Sequence, residues 1–443
     1  MKVTFILPAI GKKQGKKYIG TWKMEPLTIA VLQSLTPGDV ETEFYDDRIE
    51  GIDYETKTDL VAITVETYTA KRSYQIAAEY QKRGIPVVMG GYHVTLIPEE
   101  AQAHADSLIL GNAESVWPEM IEDARQQKLK PVYRGDTAFT DAPPDKLIFS
   151  GKKYLPISLV ETGRGCRHMC EFCAIASYYD CRYYSRRIEH IVADIRLSTN
   201  KYHFLVDDNL VADFAHAKAL FRAITPLGIK WSGQGTLSMA RDTELLKAMK
   251  ASGCELILIG FESLEEENLR QMNKSWSQAF GEVNELVNRI HDAGIGIYAT
   301  FVLGYDSDTP KTIEKTLDFA RKHSFYTAAF NHLLPFPGTP LYDRLKEQNR
   351  LIHDKWWLEE DYHYGEAAFQ PKHMSPEELS RCCRSARKEF AGLATVLRRG
   401  LHSMKRSSPL MWSLFWAMNL RLGEEIDEKM NVPLGRNLDE FPK

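Results

Sequence analysis

The chain has 443 residues, a length that predicts two or three domains, each able to bury a core of its own. Charged residues make up 26 % and hydrophobic residues 44 %, which excludes the disordered and fibrous classes. A formal net charge of −4 excludes a generally basic surface for nucleic acid, and the longest apolar stretch, residues 409–420, is shorter than the roughly 20 residues a bilayer span requires.

The opening MKVTFILPAI reads as a strand running into a polar loop rather than as an export signal, because no small-residue cleavage site follows. Strands are expected at residues 3–7, 42–45, 60–65, 86–89 and 107–110, with helices between them, such as residues 27–35 and 74–82. Such alternation argues a parallel sheet covered on both faces, whose ligands bind at the carboxyl ends of the strands. The loops there carry Thr64, Thr67 and Tyr68, then Gly90, Gly91, His93 and Val94, then Gly111 and Glu114. Gly90-Gly91 suits either a close backbone approach to a ligand or a plain strand-ending turn.

Residues 131–153, with the pair Pro143-Pro144, read as a linker that ends a first domain over residues 1–130. Alternation resumes with strands expected at residues 156–161, 203–206, 230–234, 256–261, 295–302 and 328–334. Six strand-and-helix units predict an open (β/α)6 partial TIM barrel over residues 154–345, with function at the carboxyl ends of its strands. The α/β pattern then gives way to a helical C-terminal region over 346–443. Helices are expected at 341–350, 376–397 and 410–422, with Trp356 and Trp357 in a loop.

Seven cysteines are an odd number, and three of them fall within eight positions, which points to metal or redox chemistry in a reducing, cytoplasmic compartment. Cys166, Cys170 and Cys173 share one loop directly after a strand. Three thiolates can each hold one iron of a cubane cluster and leave the fourth iron open. Zinc would want a second pair of ligands at matching distance. Cys181 as a fourth thiolate, or three buried structural cysteines, are the competing readings.

The Cys-x3-Cys-x2-Cys loop, with Phe172 before its last cysteine, resembles the hallmark of the radical S-adenosylmethionine (SAM) superfamily. Asp207 and Asp208, then Gln234, Glu262, Phe301 and Gly304 at successive strand ends, are similar to that family's SAM-binding segments. The resemblance implies a [4Fe-4S] cluster whose open iron chelates SAM and whose electron cleaves it to methionine and a 5′-deoxyadenosyl radical. The N-terminal segments Asp46-Asp47-Arg48-Ile49-Glu50, Gly90-Gly91-Tyr92-His93 and Gly111-Asn112-Ala113-Glu114 resemble the Rossmann-like domain of B12-dependent radical SAM enzymes. This implies cobalamin against Thr64, Thr67, Tyr68, Gly90, Gly91, His93, Val94, Gly111 and Glu114. The Asp-x-His-x-x-Gly motif that supplies a histidine to cobalt in many B12 proteins is absent, so no protein ligand to cobalt is expected. The rival reading is a domain of the same shape that has lost its cofactor and only shapes the substrate site.

The implied activity is methylation of an unactivated carbon of a small molecule, with an external electron donor of flavodoxin or ferredoxin type; cyclisation and rearrangement belong to the same family. A cobalamin-independent transfer of the 3-amino-3-carboxypropyl part of SAM to a soft nucleophile is a further reading, for which Cys382 and Cys383 are the hint. Adjacent side chains on a helix diverge by about 100°, so plain burial explains that pair as well. An iron–sulfur redox sensor without catalysis leaves Asp207, Gln234 and Glu262 unexplained. Cys254 reads as a core residue. The basic run from Arg398-Arg399 to Lys405-Arg406, followed by an apolar helix, suits a packing helix or one lying on a membrane surface.

Overall fold

The structure, a computed structural model, describes residues 1–404 and 408–438; Lys405 and Arg406 of the basic run lie outside the described residues. Six strands, β1 (Lys2–Leu7), β2 (Glu41–Asp46), β3 (Leu60–Thr64), β4 (Val87–Gly90), β5 (Ser107–Leu110) and β6 (Val132–Arg134), form one parallel sheet in the order β2-β1-β3-β4-β5-β6. Both faces are covered, which is why these strands read as continuous apolar runs. Val3, Phe5, Leu60 and Ala62 pack with Ile29 and Ala30 of the helix Leu27–Leu35. Ile6, Val61 and Ile63 pack with Ile76, Ala77 and Tyr80 of the helix Ala70–Gln81. The order reverses between β1 and β3, and the crevice at such a switch point is where a parallel sheet takes its ligand. β6 falls inside the stretch read as linker: three residues behind a proline carry too little alternation to announce a strand.

A second parallel sheet holds β7 (Ser158–Val160), β10 (Tyr202–Leu205), β11 (Lys230–Gly235), β12 (Cys254–Glu262), β13 (Gly296–Leu303) and β14 (Thr327–His332), in the order β14-β13-β12-β11-β10-β7. Between β7 and β10 lies an antiparallel ribbon, β8 (Gly163–Gly165) with β9 (Tyr183–Ser185), that the sequence reading did not anticipate. Along β12 and β13, Ile257, Ile259, Ile297, Ala299 and Phe301 are buried in the core, while Leu258, Tyr298, Thr300 and Val302 on the opposite face are only half-buried. The sheet therefore keeps an inner wall that its own side chains do not fill.

Its open edges are capped by charged side chains. Glu25 accepts from Leu159 N at 3.1 Å and Lys146 donates to Leu159 O at 3.3 Å on β7, and Arg387 donates to Phe330 O at 2.8 Å on β14. Arg387 belongs to the helix Pro376–Phe390, which stops before Gly392 and restarts as Leu393–Met404, so the single helix expected there is two. The helix expected at 410–422 is likewise split, into Pro409–Asn419 and Leu422–Lys429. Trp356 and Trp357 are fully buried against the first sheet's helices, with Trp357 Nε1 donating to Glu100 at 2.9 Å. Two short strands, β15 (His363–Tyr364) and β16 (Val432–Pro433), pair antiparallel, and Gly435 N donates to Ile10 O at 2.7 Å, tying the C-terminal region to the end of β1.

Candidate active site

The three-cysteine loop is held at its amino-terminal root by the end of β10. Asp207 is buried and accepts from Thr162 N and Thr162 Oγ1, each at 2.7 Å. Asp208 accepts from Gly165 N at 2.9 Å. Gly165 has φ +80°, and a Cβ there would lie 2.1 Å from Arg182 O, so only glycine fits. Burial pushes Asp207 up to about 8 and Asp208 up to about 6, the latter pulled back in part by Gly165 N–H and the charge of Arg164.

Cys170 is buried, and Cys166 and Cys173 are half-buried. Burial pushes the Cys170 thiol up to about 12 and Cys173 to about 11, and each also feels the charge of Cys166. Asn209 Nδ2 donates to Cys166 Sγ at 3.7 Å, and the backbone of Ile175 and Ala176 hydrogen-bonds Cys173. Among the described residues no three His, Cys, Asp or Glu side chains converge as closely as a single ion requires. Three soft donors around a shared space, with N–H groups aimed at sulfur, are suited to an iron–sulfur cluster. Cys181, the candidate fourth thiolate, instead donates to Ala176 O at 3.8 Å.

Beside the loop sits a buried ion pair that no motif announced: Lys274 Nζ lies 2.9 Å from Glu262. Glu262 ends β12 with φ +65° at a register shift, a conformation that costs a non-glycine residue and that clusters at functional sites. Lys274 also lies within electrostatic range of Cys170 and Cys173. His168 stacks on Trp276 with ring centroids 3.4 Å apart, and burial lowers it to about 4, leaving the imidazole neutral. Glu171 is bound by Arg344 at 2.7 and 3.2 Å, anchoring the outer side of the loop.

Between this loop and the carboxyl edge of the first sheet lies a cavity of about 330 Å³. Thr64, Glu66, Gly90, Gly91, Gly111, Asn112 and Glu114 form one wall, and Asp208, Glu161, Arg164, Tyr178 and Tyr179 the other. Arg164 joins the walls, bonded to Glu161 and Glu114. Asn112 Oδ1 accepts from Tyr178 and Tyr179 at 3.2 and 3.3 Å, while its Nδ2 is buried without a partner.

A family model for the radical SAM superfamily matches residues 160–320. Bacteriochlorophyllide d C-12(1)-methyltransferase of Chlorobaculum tepidum is 31 % identical over 409 residues, covering 88 % of this chain and 86 % of that protein. The chain belongs to the radical SAM superfamily. Two solved radical SAM enzymes share its fold. The methyltransferase TsrM from Kitasatospora setae, with cobalamin and a [4Fe-4S] cluster bound, superposes with a TM-score of 0.62 at 18 % identity, over 78 % of this chain and 75 % of that one. The cobalamin-dependent enzyme OxsB, with aqua-cobalamin and SAM bound, gives 0.67 at 12 % identity, over 96 % and 72 %.

Within this radical SAM enzyme the residues singled out from sequence divide sharply. Cys166, Cys170, Cys173 and Asp208 lie within electrostatic range of one another, and Thr64, Gly90, Gly91, Gly111 and Glu114 line the cavity together with Asp208, the cysteines standing outside its wall. Asp207 is turned onto Thr162, and Phe172 packs against the barrel core. Gln234 lies on the strand face opposite the buried Trp231. Phe301 is a correction: it is fully buried between Phe261 and Phe330, on the helix side of β13. Gly304 is glycine because a Cβ would lie 2.6 Å from Leu379. His93 is a second correction, a core histidine whose ring nitrogens meet Thr67 at 3.2 Å and Glu100 at 3.1 Å. Thr67 and Val94 are buried with it, away from the cavity, and Tyr68 lies against Trp356 and Tyr364. Gly91 has φ +110° and a Cβ there would lie 2.7 Å from Val65 O, so its freedom serves the turn. Cys382 and Cys383 form no joint site: Cys383 is buried in the core and pushed up to about 12, Cys382 only half-buried.

Proposed function

We propose that this radical SAM enzyme is a cobalamin-dependent methyltransferase acting on a carbon of a small molecule. The observation that carries the reading is the shared cavity: the switch-point edge of one parallel sheet faces Asp208 and the root of the cysteine loop across it. Residues 1–130 serve as the Rossmann-like cobalamin-binding-type domain, 154–345 as the partial barrel and 346–443 as the helical cap. When bound, the cluster supplies the electron that cleaves SAM and cobalamin supplies a methyl carrier, with a flavodoxin- or ferredoxin-type protein as the outside electron source.

The chain's own residues do the rest. Cys166, Cys170 and Cys173 hold iron, and Asn209 steadies the Cys166 sulfur. Asp208 meets the methionine ammonium of SAM. Asn112 Nδ2, with no partner in the protein, donates to a polar edge of the corrin. Tyr68, Tyr298 and Tyr364, half-buried between the two sheets, offer flat apolar faces to a conjugated substrate, the kind of molecule the bacteriochlorophyllide-methylating relative acts on.

The test is anaerobic reconstitution with iron, sulfide and hydroxocobalamin. We expect about four irons per chain, a retained corrin spectrum and SAM cleavage under reduction, all iron-dependent signals being lost in Cys170→Ala. Tightly bound zinc in place of iron would overturn the cluster, and a SAM-cleaving protein that retains no corrin would overturn the cobalamin half of the reading.

A further inference from the structure

Of the twelve large hydrophobic side chains exposed among the described residues, seven lie between residues 393 and 420. Leu393, Leu397 and Leu401 recur at every fourth position of the helix Leu393–Met404 and so form one stripe, 48–64 % exposed, which Met404 extends. Leu410 and Met418 on the helix Pro409–Asn419 are exposed as well, at 53 % and 50 %. The two helices pack on each other as a hairpin, and its buried side is firmly seated. Val396, Met411 and Phe415 pack against Tyr326, beside Tyr202 and Leu256. Arg399 is buried and donates to Tyr326 O at 2.9 Å and Phe390 O at 3.0 Å. The apolar stripe is therefore not a packing surface waiting for the rest of this chain; the packing side is already used.

Charge distinguishes the occupant. Residues 391–423 contain no Asp or Glu, although the whole chain carries −4, and of their described arginines Arg398 and Arg421 are exposed while Arg399 is buried. Trp412 holds the two helices together, its Nε1 donating to Gly400 O at 3.1 Å, and Trp416 packs edge-on against Phe415. Among the described residues no helix is long and apolar enough to cross a membrane. A symmetric contact with a second copy would set these cations against themselves. An apolar stripe beside exposed arginines, on two helices that carry no acidic residue, is complementary to an anionic lipid surface.

We propose that the helices Leu393–Met404 and Pro409–Asn419 dock the enzyme on the face of an anionic bilayer without spanning it. Tyr202, Leu256 and Tyr326 lie at or near the amino ends of β10, β12 and β14, whereas the cysteine loop and cavity lie at the carboxyl ends. Docking through the hairpin thus leaves the reaction site and the cluster loop, with Met169 exposed at its tip, turned away from the lipid and open to an electron donor. The inference is independent of the reaction proposed.

The reconstituted full chain is floated with vesicles of phosphatidylglycerol and phosphatidylcholine in equal parts, and with phosphatidylcholine alone. Binding is expected to the first at low salt and to fall with salt. The double variant Leu397→Glu, Leu401→Glu should lower partitioning about tenfold or more, and Arg398→Gln about fivefold. Leu197→Glu, equally exposed elsewhere, should leave it unchanged, and all variants should keep their iron content and SAM cleavage. No flotation with the anionic vesicles, or flotation indifferent to the double variant, overturns the proposal. So does a concentration-dependent dimer in sedimentation velocity that the double variant abolishes, which would assign the stripe to a second copy.

Discussion

Asp207 and Asp208 are neighbours with separable jobs, and substitution separates them. Asp207 spends both oxygens on Thr162, four residues before Cys166, so its task is to fix where the cysteine loop begins. Alanine there orphans a buried amide, at about 1–3 kcal/mol, and removes a hydroxyl partner worth about 1 kcal/mol. The sum, about 2–4 kcal/mol, lowers the population of the cluster-ready loop roughly thirty- to a thousandfold. Asparagine keeps both contacts, its carbonyl accepting from Thr162 N and its amide donating to Thr162 Oγ1. Asp207→Ala should therefore fail to load iron, while Asp207→Asn loads iron and binds SAM normally. Asp208→Asn should load iron but bind SAM about ten- to a hundredfold more weakly. The assay is iron and sulfide content followed by SAM affinity. Burial also raises Asp207 from 3.8 to about 8, so its contribution is fully present below about pH 4 and is lost as pH rises toward 8. Wild type should accordingly lose urea resistance across that window relative to Asp207→Asn. An iron-replete Asp207→Ala protein, or an Asp207→Asn protein with impaired SAM affinity, would refute the positioning role.

Lys274→Met leaves Glu262 buried without its cation and should cost about 3–5 kcal/mol in urea unfolding, with the cluster potential moved more negative because a nearby positive charge is gone; an unchanged midpoint in redox titration would contradict its place beside Cys170. His93→Ala should lower stability by about 2–4 kcal/mol through the lost contacts to Thr67 and Glu100, yet leave the visible spectrum of retained corrin unaltered, since the ring faces the core and not the cavity.

What could be read from the sequence was what is local. Cys166, Cys170 and Cys173 fall within eight residues, so spacing alone announces them, and strands buried on both faces announce themselves as apolar runs. Parity was not legible. Phe301 stands at a strand end where an aromatic next to Gly304 looks like a nucleoside contact, but the pleat sends it to the helix side with Phe261 and Phe330 and leaves Thr300 and Val302 on the inner wall. When both faces of a strand are apolar, composition does not say which face is the lumen. His93, expected against the cobalamin though not as a ligand to its cobalt, was misplaced for a related reason: its partners are Thr67 on another loop and Glu100 on the following helix, and neither pairing shows in the sequence.

Lys274 had no signal in the sequence, and Asn112 lay inside the segment Gly111-Asn112-Ala113-Glu114 with nothing to single it out. Lys274 matters because a register shift in β12 turns Glu262 toward it, and Asn112 because Tyr178 and Tyr179, more than sixty residues on, occupy its oxygen and leave its nitrogen over. The same distinction explains why the chemistry was clearer than the substrate. Cluster ligands must be presented by a short loop, because three thiolates have to meet one compact group. A substrate surface can be assembled from almost any half-buried residues, and the three proposed for it, Tyr68, Tyr298 and Tyr364, come from three distant segments and stand outside the wall of the 330 Å³ cavity. On the proposed reading, specificity comes from these tyrosines, which lie between the two sheets and the C-terminal region. Exchanges at those tyrosines should change which molecule is methylated while leaving SAM cleavage intact.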